Sequence, residues 1–223
     1  MKKYKFTGET KIIHTSVRDV KLNRIQAIAG FGTVKAGDIG GWIETEKNLA
    51  HDGNAWISEG AQIYGNARVF GNAQIYDNAR VFGNAQISGN AWVFGNAQIY
   101  GNARVFSNAQ IYDNARVFSN AWVSGNAQIS GNAWVSGRHH ILVVGPAGSR
   151  NGFTTFYRGN NGQIMVTCGC FNGIIDEFAK QVVKTHGKNK HAQVYLAAVE
   201  LAKLQIQEQH TSNSNPNTEI LTK

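Results

Sequence analysis

The residues best suited to chemistry lie in and just after a glycine-bounded loop, Gly145–Gly152. The backbone N–H groups of such a loop, with a hydroxyl and a guanidinium beside them, suit a phosphate or a carboxylate. The sequence therefore predicts a site for a small anionic, nucleotide-like ligand, with an ordinary hairpin loop as the alternative. The predicted ligand-binding side chains of this segment are Ser149, Arg150, Thr155, Tyr157 and Arg158. The segment is not a Walker loop, because the Lys-Ser/Thr ending is missing and a strand follows it.

Two histidines and two cysteines farther along the chain extend the candidate site. His186 and His191 have a spacing found in zinc sites, and we include both among the predicted ligand-binding residues. Cys168 and Cys170 share one face of a predicted strand, but Cys-x-Cys is tighter than the usual zinc spacing. We therefore expect buried thiols with no metal and no cofactor, and a zinc site is the alternative.

No Ser-His-Asp or paired-carboxylate arrangement stands out, and we assign no catalytic residue. Asp176 and Glu177 are adjacent in the first turn of a predicted helix, where the helix dipole explains them. A transferase remains the alternative to a binding protein. Its candidate general bases are His139, His140, His186 and His191.

These residues belong to a predicted small α+β domain, residues 138–206, of three strands followed by two helices. Strand-like runs at 139–144, 153–158 and 163–171 are separated by glycine-rich turns. Apolar residues at helical spacing predict two helices after them, within 174–187 and 192–206. The polar segment 207–223 is predicted to be disordered.

Ahead of this domain, residues 54–137 repeat one hexapeptide fourteen times without an insertion: Asn-Ala-x-(Ile/Val)-(Tyr/Phe/Ser)-(Gly/Asp/Ser). A short fixed period is typical of a solenoid. Ala and Ile/Val should point to one side of a short strand, and the residues between and after them to the other. The Gly-Asn, Asp-Asn or Ser-Asn that follows suits a sharp corner. Residues 65–86 and 101–122 are nearly identical at an offset of 36, which indicates duplication.

The repeat resembles that of left-handed parallel β-helix proteins. In Ile63-Tyr64-Gly65-Asn66-Ala67-Arg68, Ile63 is the aliphatic residue and Ala67 the small one. The resemblance implies three hexapeptides per coil, hence four to five coils about 4.8 Å apart. It also implies a mainly β fold, in which residues 1–53 form an N-terminal β cap because an open solenoid end exposes unpaired backbone groups. The family includes acyltransferases, binding proteins and structural modules.

With three hexapeptides per coil, Tyr64, Phe82, Tyr100 and Phe118 would stack outward on one face. Monomers rarely leave such an apolar patch exposed. Hexapeptide proteins are commonly trimers, so the resemblance implies a homotrimer with this row at its subunit interface. Stacking within the face alone is the alternative.

A narrower resemblance concerns three strings, Gly40–Glu44, Asn48-Leu49 and Gly53-Asn54, which are similar to a group of bacterial and bacteriophage hexapeptide proteins. Some members carry an acyltransferase label. Hexapeptide acyltransferases usually place a histidine on a loop that interrupts the coil, whereas these fourteen units contain neither an interruption nor a histidine. We therefore predict a non-enzymatic, phage-type binding protein that captures a small anionic ligand and sequesters a host signal. An acyl- or nucleotidyl-transferase and a structural virion or filament module are the alternatives.

Composition sets the expected partners and location. The net charge is +8, and residues 138–223 carry nine Lys/Arg against five Asp/Glu. A modest surplus without a block of like charge suits a small anion better than nucleic acid. The start lacks the apolar run of a signal peptide, and no stretch approaches the ~18 apolar residues of a membrane span. We expect no membrane partner and a cytoplasmic location, in the host if the chain is phage-encoded, with both cysteines reduced.

Overall fold

A computed structural model describes residues 2–58 and 60–206 of the chain. The repeat forms fourteen two-residue strands, one in each hexapeptide, arranged in parallel sheets. These strands are β4 (Trp56–Ile57), β5 (Gln62–Ile63), β6 (Arg68–Val69), β7 (Gln74–Ile75), β8 (Arg80–Val81), β9 (Gln86–Ile87), β10 (Trp92–Val93), β11 (Gln98–Ile99), β12 (Arg104–Val105), β13 (Gln110–Ile111), β14 (Arg116–Val117), β15 (Trp122–Val123), β16 (Gln128–Ile129) and β17 (Trp134–Val135).

Every repeat strand pairs with strands 18 residues away. Gln98 of β11, for example, aligns with Arg116 of β14 on one side and with Arg80 of β8 on the other. Three hexapeptides therefore make one coil, and the predicted parallel β-helix is confirmed. We call the faces by their strands: the first face holds β5, β8, β11, β14 and β17, the second β4, β7, β10, β13 and β16, and the third β6, β9, β12 and β15.

The alternation within each hexapeptide produces the core. The Ala and the Ile or Val of every unit are at most 1% exposed, and together they fill the interior of the coils. Backbone hydrogen bonds run along the axis, as when Tyr100 N donates to Val117 O at 3.0 Å. Since each coil satisfies the backbone groups of its neighbour, the N–H and C=O groups at the two ends of the stack need partners from outside the repeat.

The corners explain the residues that close each hexapeptide. The last position adopts a left-handed backbone, with φ of 55° at Asp77 and 58° at Asp113, and glycine occupies most of the equivalent positions. The two aspartates also serve the next coil. Asp77 Oδ2 accepts a hydrogen bond from Gly95 N at 3.0 Å, and Asp113 Oδ2 accepts one from Gly131 N at 3.1 Å.

Asparagine opens every hexapeptide except the one that begins at Gly60, and its amide continues the stacking at the corner. Between the first and third faces, each Asn Nδ2 donates to the Oδ1 of the asparagine one coil later, at 3.0 to 3.3 Å. The residues of this ladder are Asn66, Asn84, Asn102 and Asn120. Such amide ladders are a known stabilising feature of stacked parallel strands.

The aromatic row predicted on the first face is confirmed. The rings of Tyr64, Phe82, Tyr100 and Phe118 stack in order, with centroids 5.0, 4.9 and 5.0 Å apart and interplanar angles of 2°, 3° and 10°. Within one chain these side chains are half-buried, because their faces cover one another. Ring edges are what the row presents to the outside.

The N-terminal residues form the predicted β cap. Strands β1 (Tyr4–His14) and β2 (Asp19–Ala27) are antiparallel, and β3 (Ile39–Ile43) pairs antiparallel with β2 and parallel with β5. The first face is therefore extended into one eight-stranded sheet. A short 3₁₀ turn, Glu46–Asn48, then leads into the coils.

The Lys3 ammonium group donates hydrogen bonds to backbone carbonyls at the start of the stack. Lys3 is only 6% exposed. Its Nζ donates to Ala55 O at 2.8 Å and to Gly53 O at 3.2 Å. Burial lowers the pKa of Lys3 to about 8, although the nearby Asp52 carboxylate works in the opposite direction. The ammonium group is therefore held in an environment that favours its deprotonation.

After the repeat, a 3₁₀ turn (Arg138–His140) precedes one antiparallel sheet and two helices. In chain order the elements are β18 (Ile141–Ala147), β19 (Gly152–Arg158), β20 (Ile164–Cys168), β21 (Phe171–Ile174), α1 (Ile175–His186) and α2 (Lys190–Ile206). The sequence predicted three strands here, but Gly169, at φ 59°, turns the chain and starts a fourth. Cys168 and Cys170 therefore do not share a strand face, and that expectation was wrong.

Strand β19 closes the other end of the solenoid. On one side, Thr155 Oγ1 accepts a hydrogen bond from Gln128 N at 2.9 Å, and Tyr157 Oη lies 3.1 Å from Ser130 Oγ. On its other side, Phe156 packs beneath the helices. The predicted α+β domain is thus also the C-terminal cap.

Two sequence predictions concern the remainder of the chain. The disorder predicted for 207–223 falls outside the described residues. Within the described residues, neither helix has the length and apolar character needed to cross a membrane.

The inward aliphatic positions should dominate stability. Replacing Ile99, which is fully buried, with Ala should lower the free energy of unfolding by ~2–5 kcal/mol, since it leaves a cavity between coils. Gln98→Ala on the outer side of the same strand should cost less than ~0.5 kcal/mol. Denaturant titrations of both variants provide the check, and equal losses would contradict the observed inside and outside of the coil.

Titration of Lys3 should make the free energy of unfolding increase with pH. Between pH 8 and about 9.5 the folded chain releases the Lys3 proton while the unfolded chain, with a lysine pKa of about 10.4, retains it. The unfolded state then binds more protons, so the free energy of unfolding should rise with pH, by on the order of 1 kcal/mol over this window. Lys3→Met should lack this rise. Parallel stability curves for the two proteins would show that Lys3 titrates normally.

Candidate ligand-binding cavity

A cavity of 660 Å³ opens where the last coil meets the C-terminal domain. Its walls come from the solenoid, the loop after β18, the turn after β20, and both helices. This volume lies within the range of small-molecule sites. The lining residues are Asn126, Gln128, Ser149, Arg150, Gly152, Phe153, Cys168, Gly169, Cys170, Phe171, Phe178, Gln181, Val182, Thr185, His186 and Tyr195.

Tyr195 of α2 is locked against the loop that follows β18. A methyl group placed on Gly148 would lie 1.9 Å from the Tyr195 hydroxyl oxygen, and the φ of 74° at this position also favours glycine. Phe178 and His186 pack on the same ring, with centroids 5.7 and 5.8 Å away. The tyrosine hydroxyl is therefore held at a defined place inside the cavity.

The Cys168 thiol lines the same cavity as Tyr195. Thr154 Oγ1 donates a hydrogen bond to Cys168 Sγ at 3.1 Å. Burial raises the pKa of Tyr195, and the thiol adds to the rise, whereas the positive charge of Arg150 opposes it. The guanidinium is thus close enough to act electrostatically on the interior of the cavity.

The lining is suited to an anion with an apolar part. Arg150 and His186 are the lining residues that can carry positive charge, and none of the described lining residues is Asp or Glu. Amide side chains of Asn126 and Gln128 approach from the last coil, and three phenylalanines come from the C-terminal domain. Positive charge, amides and aromatic surface therefore face one space.

The structure separates the seven ligand-binding residues predicted from the sequence. Ser149, Arg150 and His186 line the cavity. His191 lies behind His186, with ring centroids 5.9 Å apart, and does not line it. Of the four histidines proposed as bases, His186 is thus the one that faces this space.

The other three predicted residues lie outside the cavity. Thr155 and Tyr157 are 1% and 0% exposed, because they lie on the face of β19 that packs against the last coil of the solenoid. Arg158 Nη1 lies 3.3 Å from Nε2 of His140, a buried histidine at the joint between the coils and the domain. These side chains hold the cap in place.

Several residues that line the cavity were not predicted from the sequence. Tyr195 belongs to the apolar stripe predicted for the second helix, and nothing in its spacing sets it apart from core residues. Gln128 and Asn126 look like every other unit of the repeat. Their position in the last coil is the signal, since the terminal unit is the one that meets the following domain.

Throughout 2–58 and 60–206, no three His, Cys, Asp or Glu side chains gather as a group able to hold a metal ion. Cys168 and Cys170 are both free thiols, the former half-buried and the latter exposed.

The fold and the repeat together define a hexapeptide-repeat β-helix protein. Within that class, the repeat matches the family model described as YdcK Beta solenoid repeat, at residues 61–74, 73–85, 85–97, 97–108 and 109–125. The matched segments end just before Asn126, the first residue of the cavity lining. The family model therefore covers residues 61–125 of the solenoid and none of the residues that line the cavity.

The chain is also similar to an Escherichia coli (strain K12) protein named "Uncharacterized acetyltransferase YdcK". The two are 39% identical over 61 residues, which is 26% of this chain and 19% of the relative. This chain thus matches about a fifth of the relative's length.

Proposed function

We propose that this chain is a non-enzymatic binding protein that captures a small anionic, nucleotide-like ligand in the cavity at the end of the solenoid. The observation that carries the proposal is Arg150 beside a 660 Å³ space whose described lining contains no carboxylate. A guanidinium in that setting attracts anions and offers a donor fork that fits phosphate or carboxylate.

The remaining lining suits the rest of such a ligand. Phe153 and Phe171 offer apolar surface on which a base or another flat group can pack. The amides of Asn126 and Gln128 supply donors and acceptors for the polar edge of that group. Capture without turnover fits a phage-type role, in which a host signal is sequestered in the cytoplasm, where Cys168 and Cys170 stay as thiols.

Acyl transfer is the second candidate, favoured by two observations. The similar Escherichia coli protein carries the name of an acetyltransferase. The cavity also brings together His186, Cys168 and Tyr195, groups that can accept or donate a proton. In this reading an acyl-coenzyme A would occupy the same space, with Arg150 on its phosphates.

Arg150→Ala should weaken binding of a small anion about tenfold to a hundredfold, because charge-assisted hydrogen bonds contribute roughly 1.5–3 kcal/mol each. Small molecules that co-purify would be identified by mass spectrometry, and calorimetry would follow with ADP and acetyl-coenzyme A. Arg80→Ala, on the exposed first face, is the control and should bind like the wild type. Equal affinities of both variants would place the site elsewhere, and release of free coenzyme A thiol would favour acyl transfer.

We further propose that the chain forms a homotrimer through the aromatic row of the first face. Changing Tyr100 and Phe118 together to Asp should yield a smaller species in light scattering, since buried carboxylates are costly at an interface. Circular dichroism should show that the β-structure is retained. A wild-type protein that is monomeric at micromolar concentration would rule out this assembly.

A further inference from the structure

A second polar surface lies on the solenoid and shares no lining residue with the cavity. It follows the corner between the first and third faces, marked by the ladder Asn66, Asn84, Asn102 and Asn120, and we call it the asparagine edge. Two hollows, of 610 and 420 Å³, lie along it. The first contains Asn66, and the second contains the other three asparagines, so one ladder connects both.

Besides Arg18, which is paired with Glu44, three arginines line this edge. Arg68 lies in the first hollow, and Arg104 and Arg138 lie in the second. Arg68 and Arg104 both align with Gln86 in the intervening strand, so two strand spacings, about 10 Å, separate them. Arg138 Cζ lies 4.1 Å and Arg104 Cζ 5.8 Å from the ring centroid of Trp122. One indole thus holds two positive charges near each other.

These charges are not neutralised by the protein around them. In the described part of the chain, none of the three arginines forms a salt bridge. Glu44 is the one carboxylate among the described residues lining the two hollows. It is already engaged, because it accepts from Arg18 Nη2 at 2.7 Å and from Gly65 N at 2.8 Å.

The neighbouring first face differs from the asparagine edge in its corner residues. Arg80 and Arg116 recur with the same two-coil spacing, but an aspartate stands three residues before each, at Asp77 and Asp113. The equivalent positions before Arg68 and Arg104 are glycines. The asparagine edge therefore lacks the acidic corner residues that precede the arginines of the first face.

The edge is also lined with amides that suit hydroxyl groups. Asn84 and Asn102 each use one N–H and one oxygen lone pair on their neighbours in the ladder, which leaves a second donor and a second acceptor site on each amide. Gln86 adds another amide to the second hollow. A polymer that carries hydroxyls between widely spaced anionic groups would match both sets of side chains.

We infer that the asparagine edge binds a linear acidic polysaccharide, with its carboxylate or sulfate groups on Arg68, Arg104 and Arg138 and its hydroxyls on the amides. Single-stranded nucleic acid fits less well, because proteins that bind it combine basic grooves with aromatic faces on which bases stack. Here Arg138 already covers Trp122, and Phe106 packs edge-on to the same indole at 5.4 Å. The charge spacing also suits an anion on alternate sugars better than one on every nucleotide.

The test measures binding of three probes to the full chain by calorimetry at 0.05 and 0.15 M salt. The probes are hyaluronan oligosaccharides, which carry a carboxylate on alternate sugars, heparin-derived oligosaccharides, which carry sulfates as well, and a single-stranded oligothymidine. The test variant is R68Q/R104Q, and the matched control is R80Q/R116Q, which removes the same charge at the same spacing from the first face. Thermal unfolding confirms that both variants fold.

At least one oligosaccharide should bind to the wild type, more weakly at the higher salt because exposed charges are screened. R68Q/R104Q should lose about tenfold or more in affinity, as expected when charge-assisted contacts are removed, and the control should change less than about twofold. The preferred probe then tells carboxylate from sulfate recognition. The inference is overturned if no oligosaccharide binds, if both variants lose equally, or if oligothymidine binds more tightly than either glycan.

Discussion

The structure depends on one constraint: the backbone groups of every coil find their partners on the next coil. Each unit must therefore have the same length and the same inward pair, Ala with Ile or Val, so that strands stay in register 18 residues apart. The same constraint leaves unpaired groups at both ends, and the flanking segments exist to cover them. Lys3 closes carbonyls at the start, and β19 receives the amide of Gln128 at the finish.

The candidate site follows from that second closure. Because one face of β19 is used to seal the last coil, the domain lies over the end of the stack and a cavity forms beside the seal. The loop that carries Arg150 borders this gap, while Gln128 contributes its backbone to the cap and its side chain to the lining. Capping and ligand recognition are thus two uses of the same joint.

The solenoid could be predicted almost completely from the sequence, whereas the site could be predicted only in part. A strict six-residue period determines which side chains point inward, because every unit has the same neighbours. The domain offers no such repetition. The alternation of side chains along a strand correctly placed Thr154 and Thr155 on opposite faces of β19. It did not indicate which of these faces would pack against the coils. The contact between Tyr195 and Gly148 joins segments far apart in sequence, and no local pattern announces it.

The duplicated blocks, 65–86 and 101–122, bear on how this molecule can change its length. Their offset of 36 residues is a whole number of coils, so each copied side chain returns to the face from which it came. A copy shifted by a single hexapeptide would instead rotate every outer residue onto the adjoining face and scatter both the aromatic row and the arginines. The rod can therefore be lengthened in fixed increments without redesign of either cap. The number of coils sets the length of the asparagine edge, so a longer solenoid would contact a proportionally longer stretch of a polymer bound along it.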